Sequence, residues 1–197
     1  MTSPTLNKSV VIEVLDRDIL YIKGLVPWWG ELIDLANKVG GWARSTEVVP
    51  SAGAQVTAKR VSHSIRIDGQ EEPRLSEMER RVFNAVSFAL RSYFDHNQYF
   101  VITQDDGYSL LRYDVGHFYS EHVDYVLSTD ATPYRTLSVL VYLNDNYKGG
   151  EIVFRRQGIT IKPEAGSVVV FPSTCTHPHE ALKVTEGEKY VVVTWAR

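Results

Sequence analysis

The hydrophobic positions change their rhythm near the middle of the chain. Before residue 98 helical and strand patterns are mixed, and from Tyr99 onwards only strand patterns occur. Residues 9–25, SVVIEVLDRDILYIKGL, are rich in β-branched side chains and predict two short strands. PWWGELIDLANKVG predicts a helix, with Pro27 suited to its first turn and Gly40 as its stop. Residues 45–59, STEVVPSAGAQVTAK, are small and polar and are broken by Pro50 and Gly53. They predict a loop whose length points to function rather than linkage. VSHSIRI alternates and predicts a strand. A second helix follows. Ser76 and Glu79 read as its capping box, and Val82, Phe83, Val86, Leu90, Tyr93 and Phe94 as its apolar stripe.

The second half reads as strands separated by turns. GYSLLRY, SEHVDYV, TLSVLVYLN, GEIVFRR, GITIKP, GSVVVFP and KYVVVTW are set apart by Asp106-Gly107, Gly149-Gly150, Gln157-Gly158 and the run Pro163 to Gly166. The expected fold is mainly β with supporting helices: a double-stranded β-helix, or jelly-roll, backed by N-terminal helices. Residues 1–197 read as one domain, with 1–98 as support and 99–197 as the jelly-roll. In such a barrel, ligands from different strands converge at the mouth.

Composition narrows the class only a little. The chain has 197 residues and a formal net charge of −3. No Lys/Arg block suggests a nucleic-acid surface. The longest apolar runs are too short to span a bilayer, and the N-terminal MTSPTLNKSVV lacks the pattern of a signal peptide. Cys175 is the only cysteine, which excludes an intrachain disulfide and a thiolate-clustered zinc site. A cytoplasmic protein is the default expectation. Nothing in the sequence specifies an oligomeric state.

The candidate chemistry lies in HFYSEHVDY. Residues two apart on a strand share a face, so His122 and Asp124 can grip one cation. Chance alone places about 0.3 such pairs in a chain of this composition, so the pair needs support. A facial triad of two histidines and one carboxylate needs a second histidine from a distant strand. STCTHPHEALKVTEGEKYVVVTW offers His177 and His179. The ligand types suit non-haem Fe(II), and a zinc hydrolase can use the same set. Lys189 lies ten residues after His179 in an apolar strand, where burial is costly unless the ammonium meets an anion. An outward-facing lysine is the plain structural alternative.

Taken together, YDVGHFYSEHVD, YRTLSVLVYLNDNYKGGEIVF, IKPEAGSVVVFP and HEALKVTEGEKYVVVTW resemble the catalytic domain of the prolyl 4-hydroxylase branch of the Fe(II)/2-oxoglutarate dioxygenases. The likeness covers roughly residues 108–197. It implies Fe(II) held by His122, Asp124 and His179, and His179 is preferred to His177 on its spacing to Lys189 and Trp195. It implies that Lys189 pairs with the distal carboxylate of 2-oxoglutarate, with Tyr113 and Tyr142 beside the co-substrate. Tyr119, Arg135 and Trp195 match positions that meet a peptide. Either co-substrate tyrosine has an ordinary alternative as a core aromatic. His63, His96 and His117 read as structural or surface residues.

The reaction implied by the resemblance consumes O2 and 2-oxoglutarate and releases succinate and CO2, with ascorbate as an accessory. The implied substrate is a proline-containing peptide or protein, over which the 45–59 loop would close. A free amino acid or small metabolite on the same fold is the alternative, and a non-catalytic jelly-roll binding module is a third. Two departures stand out: Ile152 follows the GGE segment where the family has threonine, and Lys183-Val184 replaces a Pro-Val pair. They bear on peptide preference and leave the metal and oxoacid positions untouched.

Overall fold

The computed structural model describes residues 9–49, 53–69, 73–99, 102–125 and 134–197. Strands β1 (Val11–Asp16) and β2 (Ile19–Lys23) form an antiparallel hairpin, and helix α1 (Trp29–Val39) follows, stopped at Gly40. Short strands come next: β3 (Ala43–Arg44), β4 (Glu47–Val49), β5 (Gly53–Gln55), β6 (Arg60–Val61) and β7 (His63–Arg66). Helix α2 spans Pro73–His96. The remaining strands are β8 (Ser109–Tyr113), β9 (Phe118–His122), β10 (Leu137–Tyr142), β11 (Lys148–Gly149), β12 (Ile152–Phe154), β13 (Ile159–Ile161), β14 (Val168–Pro172), β15 (His179–Ala181), β16 (Val184–Glu186) and β17 (Lys189–Ala196).

Two sheets carry the architecture. The larger runs β1-β2-β14-β10-β17-β8-β7-β3, and the smaller runs β13-β12-β15-β9-β6. This is the expected jelly-roll with supporting helices. Strand period two divides the larger sheet into two faces. Leu20, Ile22, Leu110, Val139, Val141, Val168, Val170 and Val192 pack with the helices in one core. Their neighbours Tyr21, Leu111, Tyr142, Val169, Phe171, Val191 and Val193 pack in a second core with Ile152 and Phe154 of the smaller sheet. Both faces of β10, β14 and β17 are therefore buried, which explains their near-continuous apolar sequences. Each large apolar side chain buried this way contributes about 1.5–3 kcal/mol.

Four local expectations are corrected. The second helix begins at Pro73, so Ser76 lies inside its first turns and is no cap. Glu79 instead accepts a hydrogen bond from the Gly69 N–H at 3.2 Å. The helix buries Leu75, Met78, Val82, Ala85, Val86, Ala89 and Tyr93, while Phe83 is 51% exposed. Small alanines face the sheet closely, and the bulky Phe83 lies one step round the helix. The 45–59 stretch holds the β4–β5 hairpin, with Gly53 at φ 68° opening its second strand. Residues 50–52, including Pro50, lie outside the described residues, as does that part of the expected lid. Finally, β9 ends at His122, so Asp124 stands beyond the strand rather than on it. Among the described residues no helix is long and apolar enough to cross a membrane.

Candidate active site

The space between the two sheets opens into a cavity of about 660 Å3. Lys189, Val191, Val193 and Trp195 alternate along β17 and all face it. His122, Asp124, His179, Tyr113, Tyr142, Tyr119 and Arg135 line it as well. Every site residue expected from the sequence therefore meets in one place.

His122 and His179 are cross-strand partners in the β9–β15 ladder. Beyond His122 the chain turns so that Asp124 faces both rings. Nε2 of His122 lies 3.5 Å from Asp124 Oδ1, and Nε2 of His179 lies 3.6 Å from Asp124 Oδ2. These separations are too long for strong hydrogen bonds and leave room for a cation between the donors. Nδ1 of His122 meets the Ser120 carbonyl at 2.8 Å, and Nδ1 of His179 meets the His177 carbonyl at 3.1 Å. A proton on each Nδ1 satisfies those carbonyls and leaves each Nε2 lone pair aimed at the centre. The Tyr119 ring stacks on His122 with centroids 3.4 Å apart, which fixes that imidazole from one side.

The protonation states suit a divalent ion. Burial drives the imidazolium of His179 down to about 4 despite the attraction of Asp124, so the ring is neutral at pH 7. Burial pushes the Asp124 carboxyl up. His179, His122 and the Ser138 hydroxyl outweigh it and hold the group well below the usual carboxylate range. Ser138 donates to Asp124 Oδ2 at 2.6 Å and is itself linked to Ser173 at 2.8 Å. The residues present thus fit Fe(II): two imidazole nitrogens, one carboxylate and an open side towards the cavity. His177 is 4% exposed, bonds to the Thr176 hydroxyl and is absent from the cavity wall.

Lys189 is 2% exposed and has no carboxylate within ion-pair distance among the described residues. Its Nζ donates to the Gly150 carbonyl at 2.6 Å and stands 5.3 Å from the ring centres of Tyr113 and Tyr142. One carbonyl cannot satisfy three ammonium protons, and burial lowers the group to about 7. The Gly149-Gly150 turn makes this arrangement possible. Gly150 sits at φ 69°, and a Cβ there would meet Lys189 Cδ at 3.2 Å. A buried, unpaired lysine beside two tyrosines suits the distal carboxylate of 2-oxoglutarate.

The outer wall holds Arg135 rigidly. Its guanidinium lies 3.5 Å from the centre of the Trp195 ring, and Nε donates to Asp106 Oδ2 at 2.8 Å. Arg197 grips both oxygens of the same carboxylate. Sequence reasoning missed three contributors. Ser138 had a signal, as a polar residue in an apolar strand. Asp106 was read only as part of a turn. Arg60, whose guanidinium lies 4.9 Å from the Tyr119 ring centre, came from a strand too short to register.

Comparison with known proteins bears on this geometry. Residues 108–197 match the family model described as the 2OG-Fe(II) oxygenase superfamily. A PKHD-type hydroxylase from Rippkaea orientalis (strain PCC 8801 / RF-1) is 32% identical over 171 residues, covering 82% of this chain and 72% of that protein. The chain belongs to the 2OG-Fe(II) oxygenase superfamily. Human prolyl 3-hydroxylase 2 is 30% identical over 138 residues, 61% of this chain. The alignment spans only 19% of that longer protein. The fold likeness extends to solved structures. A Trichoplax adhaerens prolyl hydroxylase in complex with a hypoxia inducible factor peptide fragment superposes with a TM-score of 0.72 at 19% identity, covering 91% of this chain and 83% of that one. A Pseudomonas putida prolyl-4-hydroxylase gives 0.66 at 22% identity, covering 91% and 92%.

Proposed function

We propose that this member of the superfamily is an Fe(II)- and 2-oxoglutarate-dependent hydroxylase of prolyl residues in a peptide or protein, attacking at C4. The observation that carries the reading is the pairing, in one cavity, of the His122–Asp124–His179 group with the unpaired Lys189. The metal ligands alone would also suit a zinc hydrolase. A buried cation awaiting an anion, at the depth of the same cavity, suits an oxoacid.

His122, Asp124 and His179 would hold the metal on one face. Fe(II) held there would supply oxidative chemistry in which 2-oxoglutarate and O2 yield succinate, CO2 and a hydroxylated substrate. Lys189 would anchor the far carboxylate by a charge-assisted bond, with Tyr113 and Tyr142 shaping its chamber. Tyr142 is 1% exposed and burial holds its phenol well above the usual value, so it serves as a neutral hydroxyl. The apolar walls from Leu140, Ile152, Val191 and Val193 limit water near the reacting atoms. Arg135, Trp195 and Tyr119 would form the rim that meets the peptide. The relatives named as prolyl hydroxylases support the substrate class.

A free amino acid is the second reading, and one observation favours it. Arg60 lines the cavity, donating to the Thr46 carbonyl at 2.9 Å and the Ser62 hydroxyl at 3.4 Å, and has no carboxylate partner among the described residues, so it can take a substrate carboxylate. The test is a paired assay of succinate release and product mass, with proline-containing peptides and free amino acids as substrates. A peptide that gains one oxygen as 4-hydroxyproline supports the proposal. Hydroxylation of free amino acids alone replaces it with the second reading, and 3-hydroxyproline corrects the position of attack.

A further inference from the structure

Outside the cavity, a second group of the same three residue types stands towards one end of the larger sheet, on β7 and next to β8, inside the terminal β3. His63 begins β7, Asp114 follows β8, and His117 precedes β9. One donor atom from each lies within 4.8 Å of the other two. We propose that His63, Asp114 and His117 form a second divalent transition-metal site, suited first to Zn2+, that ties β7 to the β8–β9 turn.

The geometry carries the assignment. Asp114 Oδ2 lies 3.3 Å from His63 Nδ1 and 3.8 Å from His117 Nδ1. His63 Nδ1 is buried, yet it has no hydrogen-bond partner among the described residues. The facing atoms thus approach without a hydrogen bond, which leaves the His63 nitrogen short of a partner. The Asp114 N–H donates to His117 Nδ1 at 3.1 Å, which marks that nitrogen as unprotonated. Metal capture would trade this bond for a metal–nitrogen bond. Burial also lowers the imidazolium of His117, and His63, Arg44 and Arg112 add to the effect against Asp114. The ring is therefore available as a neutral donor.

The surroundings set the affinity and the choice of ion. Arg112 Nε lies 2.9 Å from Asp114 Oδ1 as a charge contact without hydrogen-bond alignment, and Oδ2 faces the two rings. A ligating carboxylate supported through its other oxygen is a common arrangement. Arg112 and Arg44 are also the nearby cations, and they oppose a divalent ion. Two imidazole nitrogens offset that repulsion for zinc-like ions, whereas Ca2+ and Mg2+ require mostly oxygen donors. The side chains are 29%, 30% and 15% exposed for His63, Asp114 and His117, so water can complete the coordination. Because the residues come from β7 and the β8–β9 turn, bound metal would stabilise the turn between Tyr113 and His122.

The test uses untagged full-length protein bearing His122→Ala and His179→Ala, which disables the cavity triad. Calorimetric titration with Zn2+ should show one remaining equivalent. Adding His63→Ala and His117→Ala should weaken that binding at least tenfold. A second comparison keeps the triad intact: the unaltered protein should take up two equivalents of Zn2+ and His117→Gln only one, with the unaltered protein alone gaining thermal stability from the second equivalent. Absence of zinc binding in the triad-disabled protein overturns the proposal. So does binding that survives loss of His63 and His117, or equal uptake by the unaltered protein and His117→Gln.

Discussion

Among the described residues stand two clusters of two histidines and an aspartate, and their surroundings differ more than their donors. His122, Asp124 and His179 lie in a cavity, with Ser138 on the carboxylate and both Nδ1 atoms against carbonyls. His63, Asp114 and His117 lie at a sheet edge, with Arg112 on the carboxylate. The nearby cation is the decisive contrast. Arg112 already faces a carboxylate, whereas Lys189 in the cavity has none within ion-pair distance among the described residues. A paired cation completes a structure. An unpaired buried one costs stability and makes sense where a ligand supplies the anion. The Asp106–Arg135–Arg197 group makes the same point, since both guanidiniums already share a carboxylate and the group serves to hold the rim.

The largest expected effect separates the two clusters outright. Asp124→Ala or His179→Ala should abolish 2-oxoglutarate turnover, measured as succinate release. His63→Ala should leave turnover within about twofold, in keeping with a surface change away from the site. Equal damage from both would mean that the outer cluster supports catalysis. His177→Ala is the control for ligand choice and should retain iron binding in an anaerobic titration.

The second effect tests the unpaired cation. Lys189→Ala should raise the KM for 2-oxoglutarate by roughly a hundredfold to a few thousandfold, since breaking a buried charge pair costs about 3–5 kcal/mol. An Arg112→Ala change at the outer cluster should leave that KM unaltered. An unchanged KM in Lys189→Ala would remove the oxoacid from this end of the cavity.

How much of this was legible in the sequence follows from physical range. The long strands β10, β14 and β17 were plain because burial on both faces forces apolar runs. Strands β3, β6, β11, β15 and β16 are only two or three residues long, too short for any period to register. The start of α2 was misplaced because Ser76 and Glu79 imitate a cap inside a helix that had already begun. His122, His179 and Lys189 were legible as residue types at family spacing. Their convergence was not, because it depends on the β9–β15 register and on a turn after His122. His63 and His117 read as structural or surface residues and Asp114 went unnoticed beside them, since His63 and Asp114 are 51 positions apart in sequence and the β7–β8 ladder brings them together.

A third effect probes how each carboxylate is held. Ser138→Ala removes the hydroxyl from Asp124 Oδ2 without touching the cavity wall. Loss of such a supporting bond should weaken Fe(II) binding about 10–100-fold. Ser138→Thr, which keeps the hydroxyl, should recover part of it. If Ser138→Ala binds iron normally, the Asp124 orientation is set by its burial and the two rings alone.

The last effect is a pH dependence that only the cavity should show. Lys189 is lowered by burial from 10.5 to about 7 in the free protein. The charged form binds the carboxylate, so the bound state raises the pKa again and binding takes up a proton. Between pH 7 and 9 the Kd for 2-oxoglutarate should therefore rise with pH, by up to about tenfold per unit. Calorimetry on the Mn2+-loaded protein can follow this without turnover. Stability of the ligand-free protein should run the other way. From about pH 7 to the unfolded value the unfolded chain binds more protons at this residue, so unfolding becomes harder as pH rises. Lys189→Arg stays charged throughout and should bind more weakly but with no slope, because its planar fork cannot reproduce the ammonium geometry and does not deprotonate. A flat profile in the unaltered protein would show that the ammonium keeps its charge without the oxoacid, and the contrast with Arg112 would lose its basis.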